Sequence, residues 1–332
     1  MTRTMRHGLI WGFACCAASA WPCDTTVRGK AFEEVRDVHR LCVIADGPAA
    51  QSLASDSQLQ QWRSGSGQWF NAELLHLDAR DEKIEWLEYG MPSAPADLPV
   101  VVLAGLDRAS RRRFVIAHWQ PGPTPEELDR LTGSPVREAI QREVGKRWAV
   151  LLHSPAADGR TSRASDILDA TVRAWAEQHP PGVSLVRLDR ADPRERLLVS
   201  FIGLQPSGPD WVGVVFGRGK LMVPPLEGDG ISSESLQMLL SRLTEICSCL
   251  QPPSMMGVDI PMTWEPELEK SVVSLVAPGA PTAIGMTMPE PEIRSGNRSL
   301  LTIALSALGL SVLMAAGVTM AIVRRESRRN RS

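Results

Sequence analysis

The chain has 332 residues, 43% apolar and 22% charged, which excludes a disordered, collagen-like or disulfide-dense polypeptide and gives length enough for two ordinary domains. Its 36 basic and 38 acidic residues leave a formal charge of −2, so the overall balance gives no case for a nucleic-acid partner. Basic residues concentrate at the two ends, and the intervening stretch is acidic.

At the N-terminus Arg3 and Arg6 precede a short apolar run, Leu9 to Ala18, and the small-residue spacing Ala18-Ser19-Ala20. This is the pattern of a signal peptide over residues 1–20 with cleavage after Ala20. The run is too short to span a bilayer by itself.

Next comes an internal repeat at a spacing of about 110 residues. Leu74-Leu75-His76-Leu77-Asp78-Ala79-Arg80-Asp81 is echoed by Leu185-Val186-Arg187-Leu188-Asp189-Arg190-Ala191-Asp192. The strand Leu41-Cys42-Val43-Ile44 is matched near Leu151-Leu152, and Pro99 before Val100-Val101-Val102-Leu103 is matched by Pro209 before Trp211 to Phe216. Each copy reads as strand, helix, strand, helix, strand, strand, helix. The first copy closes with a capping box at Thr124-Pro125-Glu126-Glu127 and a helix opened by Ser134-Pro135 with Val136, Ile140 and Val144 inward. In the second copy, Ile167, Leu168, Thr171, Val172 and Trp175 mark one face of a helix that stops at His179-Pro180-Pro181-Gly182. Arg194 to Ile202 reads as a helix ending at Gly203, Trp211 to Val223 as a hairpin turning at Gly217-Arg218-Gly219, and Ser232 as the cap of a last helix.

Residues 251–299 are proline-rich with little periodicity and read as an extended stalk. Leu300 to Val323 then gives 24 residues without charge, Pro, Asn or Gln, long enough for a tilted transmembrane helix. The tail, 324–332, holds five arginines against one glutamate and belongs in the cytoplasm. The expected protein is single-pass, with its N-terminal body outside. Thirty-one arginines against five lysines point to a GC-rich genome and a bacterial plasma membrane.

The order of elements resembles the thioredoxin fold. The likeness sharpens at Tyr89-Gly90-Met91, followed after the insert Pro92 to Asp97 by Leu98-Pro99 opening a strand, and at the hairpin Phe216 to Leu221. The resemblance implies an α/β protein of two tandem thioredoxin-like three-layer domains, 30–147 and 148–250, plus the C-terminal membrane helix. It also implies a cis-proline before the third strand of each copy, and a groove beside it that holds extended peptide, so Leu98, Pro99 and Pro209 are the expected contact residues.

Thioredoxin chemistry requires a Cys-x-x-Cys pair at a helix N-terminus, where the dipole and backbone N–H groups favour the thiolate. In place of that pair the first copy has Asp46-Gly47-Pro48-Ala49 and the second Ser154-Pro155-Ala156-Ala157. The expectation is therefore a binding or assembly module for another envelope component, without a catalytic residue or cofactor. Four cysteines remain after signal cleavage. Cys42 reads as an apolar core residue within a strand. Cys247-Ser248-Cys249 leaves three readings open: a disulfide from one of the two to Cys23, a strained redox couple, or a Cu(I) ligand set with Met255, Met256 and Met262. The last two make the alternative function a thiol-disulfide oxidoreductase or copper-delivery protein using Cys247 and Cys249.

The five histidines beyond the leader show no metal-ligand spacing. Gly217-x-Gly219-Lys220 fails as a phosphate loop because Leu221 follows the lysine. Asp46, Asp78, Asp81, Asp189 and Asp192 read as caps and turns at strand ends.

Overall fold

The computed structural model describes residues 26–47, 57–107, 110, 112–157, 163–245, 257–268 and 270. They form an α/β body with two mixed sheets. The elements in chain order are α1 (Val27–Glu33), β1 (His39–Ala45), α2 (Ser57–Ser64), β2 (Ala72–Asp78), β3 (Val100–Asp107), β4 (Arg112–Trp119), α3 (Pro125–Thr132), α4 (Pro135–Val144), β5 (Val150–Ser154), α5 (Arg163–Gln178), β6 (Ser184–Arg187), α6 (Arg196–Ile202), β7 (Trp211–Phe216), β8 (Lys220–Leu221), β9 (Leu226–Glu227), α7 (Ser233–Arg242) and β10 (Val258–Asp259), with short 3-10 turns between some of them.

The sequence repeat has a topological counterpart. The first sheet runs β2-β1-β3-β4 and the second β6-β5-β7-β8-β10, with β9 also on β7. In both, the first two strands are parallel, the third is antiparallel to the first, and a hairpin partner follows. A parallel pair requires a crossover, which α2 and α5 supply. The helix ends follow local chemistry. Thr124 and Glu127 form the reciprocal capping box with Pro125 in the first turn, Ser134 caps α4, Ser232 and Ser235 cap α7, and left-handed Gly203 ends α6.

Period-two alternation sends each strand's residues to two layers. Leu41 and Val43 of β1 join Val150 and Leu152 of β5, Ile140 of α4 and Leu198 of α6 in one apolar cluster between the sheets. Cys42 and Ile44 face an outer cluster on the first sheet. Leu151 faces another outer cluster, on the second sheet, beneath α5 and α7. The boundary at 147/148 thus falls in the loop after α4 but does not divide two interiors.

The two ends of the body also cross over. Helix α1 precedes the first sheet, yet Val27 and Ala31 pack in the outer cluster of the second, and the Arg28 guanidinium donates to the Trp148 and Arg147 carbonyls at 2.9 and 2.8 Å. Gly217 at φ +57° leaves the space Ala31 needs, since a Cβ there would lie 2.5 Å from the alanine methyl.

In the opposite direction, the segment after α7 adds β10 to the edge of the second sheet and then runs on to the first half, which corrects the expectation of a stalk from residue 251. Val258 and Asp259 pair with β8, Ile260, Met262 and Trp264 are buried in the central cluster, and Thr263 bridges Phe70. Asn71 brackets this strap through the Ile260 carbonyl and the Met262 N–H. Prolines and a two-residue strand hide the signal, but the apolar residues at 258, 260, 262 and 264 alternate as a docked strand requires. Arg137, fully buried, donates to the carbonyls of Leu131 and Pro261 at 2.6 and 3.0 Å and to Ser134 Oγ at 3.0 Å. Burial lowers its pKa to about 10.

Where the ends cross lies a buried polar clasp. Lys220 Nζ is 3.0 Å from both Asp259 Oδ2 and Glu34 Oε2, and Lys220 and Asp259 are fully buried. Asp37 and Asp259 exchange bonds, each carboxylate accepting the other's backbone N–H at 2.7 and 3.0 Å. His39 Nε2 donates to the Asp259 carbonyl at 3.0 Å, while its Nδ1 is buried without a partner among the described residues. Desolvation, opposed by the Asp259 carbonyl, lowers the His39 pKa from 6.5 to about 4. The unfolded chain therefore binds the extra proton first as pH falls. Stability should be full above pH ~6.5 and decline by about 3 kcal/mol towards pH ~4 through this group. Urea titrations at pH 7.5 and 4.5 should show that loss in the native chain and a smaller one in His39→Gln.

Among the described residues no helix is long and apolar enough to cross a membrane. Residues 1–20 and Leu300 to Val323 lie outside the described residues.

Candidate functional site

In open α/β sheets, ligands gather outside the carboxyl ends of parallel strands. Among the described residues there are two such edges, at the ends of β1/β2 and β5/β6.

At the first edge Asp78 ends β2 and faces the turn after β1. Its Oδ1 accepts the N–H groups of Gly47 at 3.1 Å and Arg80 at 3.0 Å, and the Arg80 guanidinium binds both carboxylate oxygens at 3.3 and 3.2 Å. The Arg80 side chain, then these backbone donors, hold the Asp78 pKa down to about 2. These bonds tie Asp78 into the turn after β1 and favour its ionised form. Gly47, at φ +39°, has the Arg80 guanidinium in the space a Cβ would take. The Leu98-Pro99 peptide is cis and leads into β3, whose Val100 pairs with Ile44 near the end of β1. Both Leu98 and Pro99 are half-buried.

At the second edge His153 and Ser154 end β5. His153 Nε2 lies 3.1 Å from Asp210 Oδ1, and the same oxygen accepts the Ala156 N–H at 3.3 Å. Each half thus has a carboxylate receiving the N–H two residues past its first strand. The donating strands differ, since Asp78 ends β2 and Asp210 precedes β7. Arg190 follows β6 and closes this edge. It donates to Ser154 Oγ at 2.8 Å, to the Gln205 carbonyl at 2.9 Å and to the Pro209 carbonyl. Burial lowers the Arg190 pKa. Pro209 is exposed, and its peptide is trans, unlike that of Pro99. The two expected contact points are therefore built differently. Leu98-Pro99 offers a half-buried shoulder beside β1, and Pro209 is an exposed residue tied back by Arg190.

Neither edge carries sulfur among the described residues. Cys42 is buried in β1, and desolvation pushes its thiol up to about 12, so it supplies no thiolate near neutral pH. Cys247, Cys249, Met255 and Met256 lie outside the described residues. Met262, which follows them closely in sequence, is fully buried in the central cluster, its sulfur set against Gly219. Among the described residues no group of three or more His, Cys, Asp or Glu is placed to hold a metal ion.

Sequence reasoning missed the clasp of Glu34, Asp37, His39, Lys220 and Asp259 and the second-edge cluster of His153, Asp210 and Arg190. Both join residues more than 30 positions apart with no motif spacing, so only the folded chain brings them together. No protein-family model matches the chain, and no curated protein is similar to it.

Proposed function

We propose that this protein is a binding or assembly module built on two thioredoxin-like halves that have lost their redox sulfurs. It is held outside a bacterial plasma membrane by Leu300 to Val323 and recruits another envelope component. The observation that carries the proposal is the coincidence of a repeated strand order with sulfur-free turns at both carboxyl edges, Asp46-Gly47 and Ser154-Pro155-Ala156. The cis peptide at Leu98-Pro99 supports the likeness in the first half. Leu98 and Pro99 form the principal contact surface for extended polypeptide, with Pro209 at the matching edge of the second half.

The test is thiol accounting on the full chain. Insulin-disulfide reduction should stay at the buffer rate, and Cys42 should react with a thiol reagent only after denaturation. Turnover abolished by Cys247→Ser or Cys249→Ser, or one Cu(I) bound per chain through that pair, would replace this reading with an oxidoreductase or copper-delivery function.

A further inference from the structure

A cleft of about 370 Å³ is lined by five consecutive residues of β4, Val115 to Trp119, and by residues of α3 and of the segment from Pro193 to Ser200. None of its lining residues is among those that build the two carboxyl edges. Strand β4 is the last of its sheet. It pairs with β3 on one side and, among the described residues, with no strand on the other. On either side of a β-bulge at Ile116, where Leu103 pairs with Ala117 and Ala104 with Val115, its outer edge presents backbone donors and acceptors, the feature an added strand uses.

The cleft is basic in balance, with three guanidinium groups against one carboxylate. Arg130, Arg194 and Arg196 line it, with Glu127 as its carboxylate. Glu127 keeps its charge but is turned into the α3 cap, where its Oε2 accepts the Thr124 N–H at 2.8 Å and hydroxyl at 2.9 Å. Arg194 is held by Asp192 at 2.7 Å. Arg130 faces the exposed Glu126 at 3.7 Å, a distance and setting that make the pair weak. Arg196 is exposed, with no hydrogen-bond or ion-pair partner among the described residues. Leu197 and Trp119 add apolar surface beside these guanidinium groups.

We propose that this cleft receives an acidic polypeptide segment of a partner protein in extended conformation, which adds as a strand to the outer edge of β4. Five strand residues cover roughly 17 Å at ~3.4 Å each, so the lining run matches an elongated occupant rather than a compact one. Backbone pairing supplies sequence-independent affinity. Alternate side chains supply selectivity, with carboxylates reaching Arg196 and then Arg130, and intervening apolar groups meeting Leu197 and Trp119. The proposal does not depend on the thioredoxin-like reading, since it uses neither carboxyl edge.

The test is amide hydrogen exchange on the full chain with two blocked octapeptides, (Glu-Val)4 and (Lys-Val)4, at equal ionic strength. The acidic peptide should slow exchange over Val115 to Trp119 and the basic one should not. Because Arg196 is exposed, Arg196→Glu should fold normally, weaken the acidic peptide at least tenfold and admit the basic one, while Arg196→Gln falls between. Equal protection by both peptides, protection by neither, or acidic-peptide protection unchanged in Arg196→Glu would each overturn the proposal.

Discussion

Ending the chain at residue 256 is expected to abolish its cooperative unfolding transition, although the segment removed begins with what the sequence presents as stalk. The strap from Gly257 to Trp264 buries Ile260, Met262 and Trp264 in the layer both sheets share, and burying each such side chain contributes about 1.5–3 kcal/mol. Three of them together approach the ~5–15 kcal/mol that holds an ordinary domain folded. The deletion also removes the partner strand of β8, the Asp259 carboxylate beside Lys220 and a carbonyl that accepts from buried Arg137. Heat-induced unfolding followed by circular dichroism should lose its sigmoid, and a dye that binds exposed apolar surface should bind before heating. Within the full chain, Trp264→Ala should cost about 3–5 kcal/mol. A sharp transition retained by the truncated chain would show that the strap is an accessory and the sheets are self-sufficient.

The same strap marks how far the sequence is legible. Strands β2 and β6 announce themselves because Leu74 to Asp81 and Leu185 to Asp192 repeat one pattern, with aspartates at matching places, Asp78 and Asp189, Asp81 and Asp192. Helix caps are equally plain, since Thr124, Ser134 and Ser232 act on N–H groups three residues ahead and require nothing distant. What depends on remote partners stays hidden. Val27 and Ala31 precede the first strand of the first half, and only packing sends them to the second sheet. Arg137 sits one residue from inward Val136, and nothing local announces that carbonyls from Leu131 and Pro261 take up its guanidinium. Pro99 and Pro209 occupy equivalent places in the repeat, but only the first is cis. Repetition of sequence therefore predicts topology better than it predicts the two carboxyl edges, where Asp78 reaches its N–H group from the end of β2 and Asp210 from the residue before β7.

Replacing Lys220 by methionine is expected to destabilise the protein by about 3–5 kcal/mol, the cost of leaving a buried carboxylate without its counter-charge. Lys220 shares its ammonium between Asp259, which follows the second half, and Glu34, which precedes the first, so one side chain joins the two crossing ends of the body. Its loss leaves the Asp259 carboxylate with the Asp37 N–H on Oδ2 and nothing on Oδ1 among the described residues. Adding Asp259→Asn removes the charge but keeps an oxygen for that N–H, so the double variant should recover part of the loss. A double-mutant cycle in urea then measures the coupling directly. A cost below ~1 kcal/mol for Lys220→Met, or strictly additive effects with Asp259→Asn, would mean that apolar packing alone holds the ends together and that the clasp adds only geometry.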